Sequence, residues 1–183
     1  VAVVEGSLVR EIRLTHGFIA LVDDEDWECL SRFRWHVTIR HGNAYAATNK
    51  KRPLRGTWTM HRLIMDAPPG VFIDHVRHRP LSDRVVDNRR ENLRVATNGQ
   101  NCANQKKKAG KTSMFKGVSL RPEGKWCAQI MKDGRAKHLG LFPTEALAAR
   151  RHDLAAVEHF GDFALTNFPV PGSRQWIFGA SHA

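Results

Sequence analysis

The residues best suited to chemistry stand in one short stretch: Ile73-Asp74-His75, then Asn88, Asn92-Leu93-Arg94 and Asn101. An imidazole titrates close enough to neutrality to take a proton from water. A carboxylate and an amide oxygen are hard donors of the kind magnesium or manganese prefers, and such a cation offsets charge building on a phosphate. Another polar group must hold the imidazole in orientation. These types together meet the needs of phosphodiester hydrolysis. Taken singly each has an ordinary explanation: Asp-His pairs are common, Asn92 could turn the chain, and Asn98, Asn101 and Asn104 could be the wet face of a helix. Their combined order and spacing single them out.

Composition narrows the substrate. Lys and Arg number 29 against 18 Asp and Glu, a formal net charge of +11 over 183 residues. Such an excess favours polyanions through phosphate neutralisation and counterion release. Hydrophobic content of 42% is enough for compact cores, so this is a folding sequence. No apolar run is long enough to span a bilayer and no signal peptide is evident, so the expectation is a soluble cytoplasmic protein without membrane contact. Cys29, Cys102 and Cys127 are too widely spaced for a zinc knuckle or a disulfide framework and are expected to act as small apolar residues.

The elements that must position these groups can be read from pattern. Residues 10–65 give strands at Glu11–Leu14, Phe18–Leu21, Trp35–Ile39 and Ala44–Thr48, with a helix over Asp23–Phe33 capped by Asp23 or Asp24. Pro68-Pro69-Gly70 breaks the chain. A short strand from Val71, a long polar loop, a strand at Leu93–Ala96 and a helix from about Thr97 follow. Lys106–Lys116, with five lysines and no acid, reads as a solvated linker of the kind that lies along DNA. Strands at Phe115–Leu120, Trp126–Lys132 and Ala136–Phe142 are joined by Pro-Glu-Gly and Asp-Gly turns. A helix over Thr144–Phe160, capped by Thr144, turns Ala148, Leu154, Ala155 and Val157 towards that sheet.

Asp74-His75, Asp87-Asn88-Arg89, Asn92-Leu93-Arg94 and Gln100-Asn101 resemble the HNH endonucleases, in particular the H-N-N homing type. The resemblance implies a ββα-metal core with the histidine ending the first strand and the third motif residue on the helix. It makes His75 the general base, Asn92 the residue that orients the His75 ring, and Asp74 and Asn101 the ligands of one Mg2+ or Mn2+. Arg89 and Arg94 become candidates for phosphate contact or for bracing the loop. The loop Val76–Val86 is about five residues longer than in that family, an insertion a surface loop can tolerate, and it leaves His78 or Asp83 as alternative ligands. His61, His36, His41 and His138 read as core or interface histidines outside the site.

The segment carrying Phe115-Lys116-Gly117-Val118, Gly124-Lys125-Trp126, His138-Leu139-Gly140-Leu141-Phe142, Asp153-Leu154-Ala155-Ala156 and Thr166-Asn167-Phe168-Pro169 resembles an AP2/ERF DNA-binding domain. That resemblance implies a three-stranded antiparallel sheet packed on one helix, with the sheet in the major groove of double-stranded DNA. Arg121, Lys125, Gln129 and Lys137 stand where contacts are expected, and Lys116 could reach the backbone. Ser119, Glu123 and Met131 replace residues that many plant members use, so the module is expected to add affinity more than sharp sequence choice. Trp126 reads as packing.

The whole is therefore expected to be an α+β protein. Its parts are an N-terminal α+β segment (1–65), a nuclease core (66–105), a basic linker (106–114), an AP2-like domain (115–169) and a tail (170–183) without a role. The expected function is metal-dependent cleavage of DNA, with no obligate protein partner evident and a mobile-element or phage origin in view. The competing readings are a non-enzymatic AP2-like regulator and a basic RNA-binding protein.

Overall fold

The computed structural model describes residues 3–4, 7–49, 56–107 and 112–170. The tail from 171 onward, and Lys108 and Lys111 of the linker, lie outside the described residues. The fold is α+β, and the chain divides into two compact units, residues 1–96 and 97–183.

In the first unit, β1 (Val3–Val4), β2 (Ser7–Arg13) and β3 (Ile19–Asp23) pair antiparallel in sequence order. Strict alternation along β3 buries Ala20 and Val22 completely while Leu21 stays half-covered, as a one-sided strand requires. Helix α1 (Asp24–Ser31) follows at once. Asp23 holds its N-cap position without a capping side-chain bond, because that carboxylate instead accepts from the Arg90 N–H at 2.7 Å. The expected cap is thus replaced by a long-range tie.

A second sheet comprises β4 (His36–Arg40), β5 (Asn43–Asn49) and β6 (Thr57–Thr59), and leads into the short helix α2 (Met60–Ile64). β7 (Phe72–His75) then runs towards the loop expected to be irregular. That loop ends in strand β8 (Val85–Asp87), which adds to β3 in parallel with Ile19 opposite Val85. β9 (Leu93–Ala96) returns antiparallel to β7, placing His75 opposite Leu93 and Asp74 opposite Arg94. One core joins these sheets: Val22, Leu30, Trp35, Met60, Ile73, Val86 and Leu93 all belong to it.

The second unit opens with α3 (Asn98–Asn104), started by a reciprocal capping box between Thr97 and Gln100. The order β7, β9, α3 is that of a ββα unit, but the division into units falls between β9 and α3, inside the span expected to be one nuclease core. Strands β10 (Val118–Leu120), β11 (Trp126–Lys132) and β12 (Arg135–Phe142) form an antiparallel sheet against α4 (Glu145–Phe160). Thr144 caps α4 by accepting from Leu147 N–H. Ala148, Ala149, Ala155 and Ala156 let the helix lie close on Val118, Ala128 and Ile130. Leu154, expected on that face, is instead 56% exposed. Trp126 packs in the core. Of the cysteines only Cys127 is buried; Cys29 and Cys102 are exposed, which corrects their reading as apolar filler.

Candidate functional site

His75 ends β7 with 3% of its surface exposed. Its Nε2 lies 2.9 Å from Asn88 Oδ1. Asn88 is wholly buried and its amide nitrogen donates to Met60 Sδ at 3.1 Å, which fixes its oxygen towards the ring. An amide oxygen only accepts, so Nε2 carries the proton and Nδ1 is the basic nitrogen. Burial pushes the His75 imidazole below its ordinary value, against the opposing pull of the Asn88 bond and of Asp74 and Asp87. The ring is therefore neutral and able to accept a proton at pH 7.

The amide that meets the His75 ring is that of Asn88, whereas Asn92, expected to orient it, bonds elsewhere. Asn92 Oδ1 accepts from Arg77 N–H at 2.8 Å, and its Nδ2 donates to Arg77 O at 3.1 Å and Asp87 O at 2.8 Å. Those three bonds use the amide's oxygen and both of its N–H groups to staple the two ends of the long loop. Asn88 was visible as a motif residue. Its partner was not, because the contact depends on β8 joining β3: Asn88 N–H donates to Leu21 O at 2.8 Å. The N-terminal segment, which carries no motif, is what positions this residue. Arg90 on Asp26 at 2.7 Å adds to the same brace.

If His75 acts as the base of a hydrolytic site, Asn88→Ala should lower its rate by about 10- to 100-fold, the usual cost of removing a group that orients a histidine from behind. Asn92→Ala should act mainly on loop stability. Rates and urea midpoints of both variants decide this; a larger rate loss from Asn92→Ala at equal stability would return the orienting role to Asn92.

Asp74 is 3% exposed and its Oδ2 accepts from Arg94 Nε at 3.1 Å and Nη2 at 2.9 Å. Arg89 is held by Asp87 and Glu91, each at 2.7 Å. The structure thus places both guanidinium groups in internal ion pairs instead of facing outward to phosphate. Asn101 lies half-buried on α3, in the second unit. Among the described residues no three His, Cys, Asp or Glu side chains cluster as a metal site.

The long loop brings His78 close: its ring centroid lies 5.3 Å from that of His75. Asp83 is exposed on a 3-10 turn. A small concavity beside His75 is lined by Arg77, His78, Arg79 and Asp87. His61, set aside on sequence grounds, is indeed buried, but its ring stands 5.0 Å from that of His75, with Tyr45 5.8 Å from both. Its Nδ1 has no hydrogen-bond partner among the described residues. Nothing in the sequence distance between 61 and 75 could reveal that neighbourhood; the turn of α2 creates it.

Burial, with His75, Arg62 and His78 nearby, lowers His61 from 6.5 to about 3. Both histidines bind protons less readily folded than unfolded. As pH falls below 6.5, the unfolded chain protonates first and the folded state loses stability down to the folded value near 3. The slope should approach about 1.4 kcal/mol per pH unit for each histidine. Urea unfolding from pH 7 to 4 measures it; stability that stays flat across that window would contradict the burial of these rings.

On the second unit, Arg121, Lys125 and Gln129 are exposed. Arg121 reaches Cys127 Sγ at 3.4 Å, so it shares the sheet face opposite α4 with Cys127, Gln129 and His138. Lys137 pairs with Ile130, whose side chain is in the core, so Lys137 stands on the helix side of its strand and not with Gln129. Lys116 is half-buried instead of standing free on the surface. Its ammonium donates to the carbonyls of Cys102, Ala103 and Gln105. Lys107 likewise turns onto the carbonyls of Ser113 and Phe115, so part of the expected DNA-tracking linker is structural.

The first unit thus carries a histidine-ending strand with a buried amide partner, and the second a three-stranded sheet on a helix with exposed Arg121 and Lys125. Comparison with known proteins agrees on both parts. The chain is 29% identical over 153 residues to an uncharacterized HNH endonuclease of Acanthamoeba polyphaga mimivirus, covering 82% of this chain and 75% of that protein. It is 40% identical over 77 residues to an AP2/ERF and B3 domain-containing protein of Oryza sativa subsp. japonica, and 48% over 63 residues to an ethylene-responsive transcription factor of Arabidopsis thaliana. The matches cover 41% and 33% of this chain but only 21% and 25% of those plant proteins. No family model matches the chain. The chain is thus a homologue of a protein named as an HNH endonuclease and carries an AP2/ERF-like region.

No helix among the described residues is long and apolar enough to cross a membrane.

Proposed function

We propose that this protein is a metal-dependent DNA endonuclease of the H-N-N homing type. The observation that carries the reading is the buried His75 imidazole, held through Nε2 by Asn88 so that Nδ1 is the base. His75 takes the proton from the attacking water. Asn88 keeps the tautomer through that step and through the imidazolium that follows, since its oxygen accepts from the ring in both states. Arg77, His78 and Arg79 around the concavity draw the scissile phosphate towards His75. Asp74 and Asn101 would be the oxygen donors for one Mg2+ or Mn2+, which when bound would supply charge neutralisation at the phosphate; hydrolysis by the water that His75 deprotonates would leave 5′-phosphate and 3′-hydroxyl ends. Arg121, Lys125 and Gln129 of the AP2-like sheet hold the duplex.

The test is incubation of the purified protein with supercoiled and linear DNA of mixed sequence, in magnesium, manganese or chelator. Nicking or cutting that needs the metal is the expected result. Binding without cleavage under every metal condition would favour the second reading, a non-enzymatic DNA-binding regulator. The Asp74–Arg94 ion pair is the observation on its side, because it already engages a carboxylate that metal binding needs.

A further inference from the structure

Lys116 occupies a position where the AP2-like resemblance leads one to expect a DNA contact, yet the fold has spent it elsewhere. Its ammonium lies on three carbonyls at the C-terminal end of α3, those of Cys102 (3.3 Å), Ala103 and Gln105 (2.9 Å). A helix end exposes carbonyls with no partner inside the helix and carries partial negative charge, so a cation there satisfies both. Burial pushes this ammonium down to about 8, the cost of drawing it inside. The same helix end is tied a second time by Leu165 N–H donating to Ala103 O at 3.2 Å. Ala103 and Asn104 are buried, and a Cβ at Gly99 would sit 3.9 Å from the Phe160 ring. With only seven residues, α3 is too short to persist by itself and takes its stability from these contacts.

We propose that Lys116 is a positioning residue and not a DNA contact: by capping α3 it holds the helix that carries Asn101, the amide assigned above as a metal ligand. This rests on the endonuclease reading, in which Asn101 is a metal ligand. The module then cannot be removed at the end of α3 without loosening that ligand.

Three measurements on the full chain test it. The first is trace labelling of amines with acetic anhydride, with and without duplex DNA, in the unaltered protein. Lys116 should already react several-fold more slowly than Lys125 without DNA, and DNA should not change its rate. Lys116 that reacts freely alone and is protected only by DNA would overturn the proposal. The second is direct binding of Mn2+, followed by its electron paramagnetic resonance signal, in Lys116→Met, Lys116→Arg and Asn101→Ala. Lys116→Met should weaken Mn2+ binding at least tenfold, with partial recovery in Lys116→Arg. The third is DNA affinity against salt, which should move less than twofold in Lys116→Met. A loss of DNA affinity with unchanged Mn2+ binding makes Lys116 a phosphate contact and overturns the proposal. Unchanged Mn2+ binding in Asn101→Ala removes the underlying ligand assignment and the positioning role with it, while the labelling result still reports whether the cap exists.

Discussion

His75→Ala is expected to reduce metal-dependent DNA cleavage by between about 10²- and 10⁴-fold, the range general-base removal commonly costs. DNA affinity should change by less than about twofold, because a side chain 3% exposed offers the duplex little surface and the exposed basic groups of both units remain. The geometry makes the effect specific. Nε2 is committed to Asn88, so Nδ1 alone can take the proton, and alanine leaves no base at that point. Supercoiled-DNA nicking rates beside fluorescence-anisotropy affinities decide the matter. Full activity in the variant would remove His75 from the mechanism and bring His78, whose ring is 5.3 Å away, forward as the base.

The largest stability effect is expected from Gly117→Ala. Gly117 has φ +74, a conformation that costs other residues about 1–2 kcal/mol. More decisively, an added Cβ would stand 1.9 Å from Cδ2 of His152. His152 cannot step aside cheaply: it is 3% exposed, and its Nδ1 is 3.1 Å from Asp153 Oδ1. Asp153, with no exposed surface, accepts from Asn167 N–H, Asn167 Nδ2 and Phe168 N–H, each at 2.9 Å. Moving the imidazole therefore disturbs the carboxylate that pins the segment after α4. Strain and overpacking together should cost about 2–5 kcal/mol. The urea midpoint of the second unit, followed by fluorescence in a variant that keeps Trp126 as its one tryptophan, and the DNA affinity of the full chain should both fall sharply. An unchanged midpoint would mean that the ring and the 117 backbone are not in this contact.

The sequence alone carried the α+β class and the sheet-and-helix pattern of the C-terminal module, and it singled out His75 as the candidate base. These are properties of residue type and local period: β11 alternates around Ala128 and Ile130, Asp133-Gly134 closes the hairpin, and Thr144 starts α4 by itself. The two resemblances named there agree with the relatives found for the chain.

Tertiary structure alone decided which amide serves the imidazole. Asn88 and Asn92 are equivalent as sequence letters, and the choice between them follows from β8 pairing with a strand more than sixty residues earlier. The same holds for His61, which reaches His75 only through the packing of α2, and for Lys116, which resembles a DNA contact in sequence and is a helix cap in the fold. Periodicity reports which face of an element is apolar. It does not report which buried polar atoms meet, because each such pair is set by long-range pairing and by the requirement that buried donors and acceptors find partners.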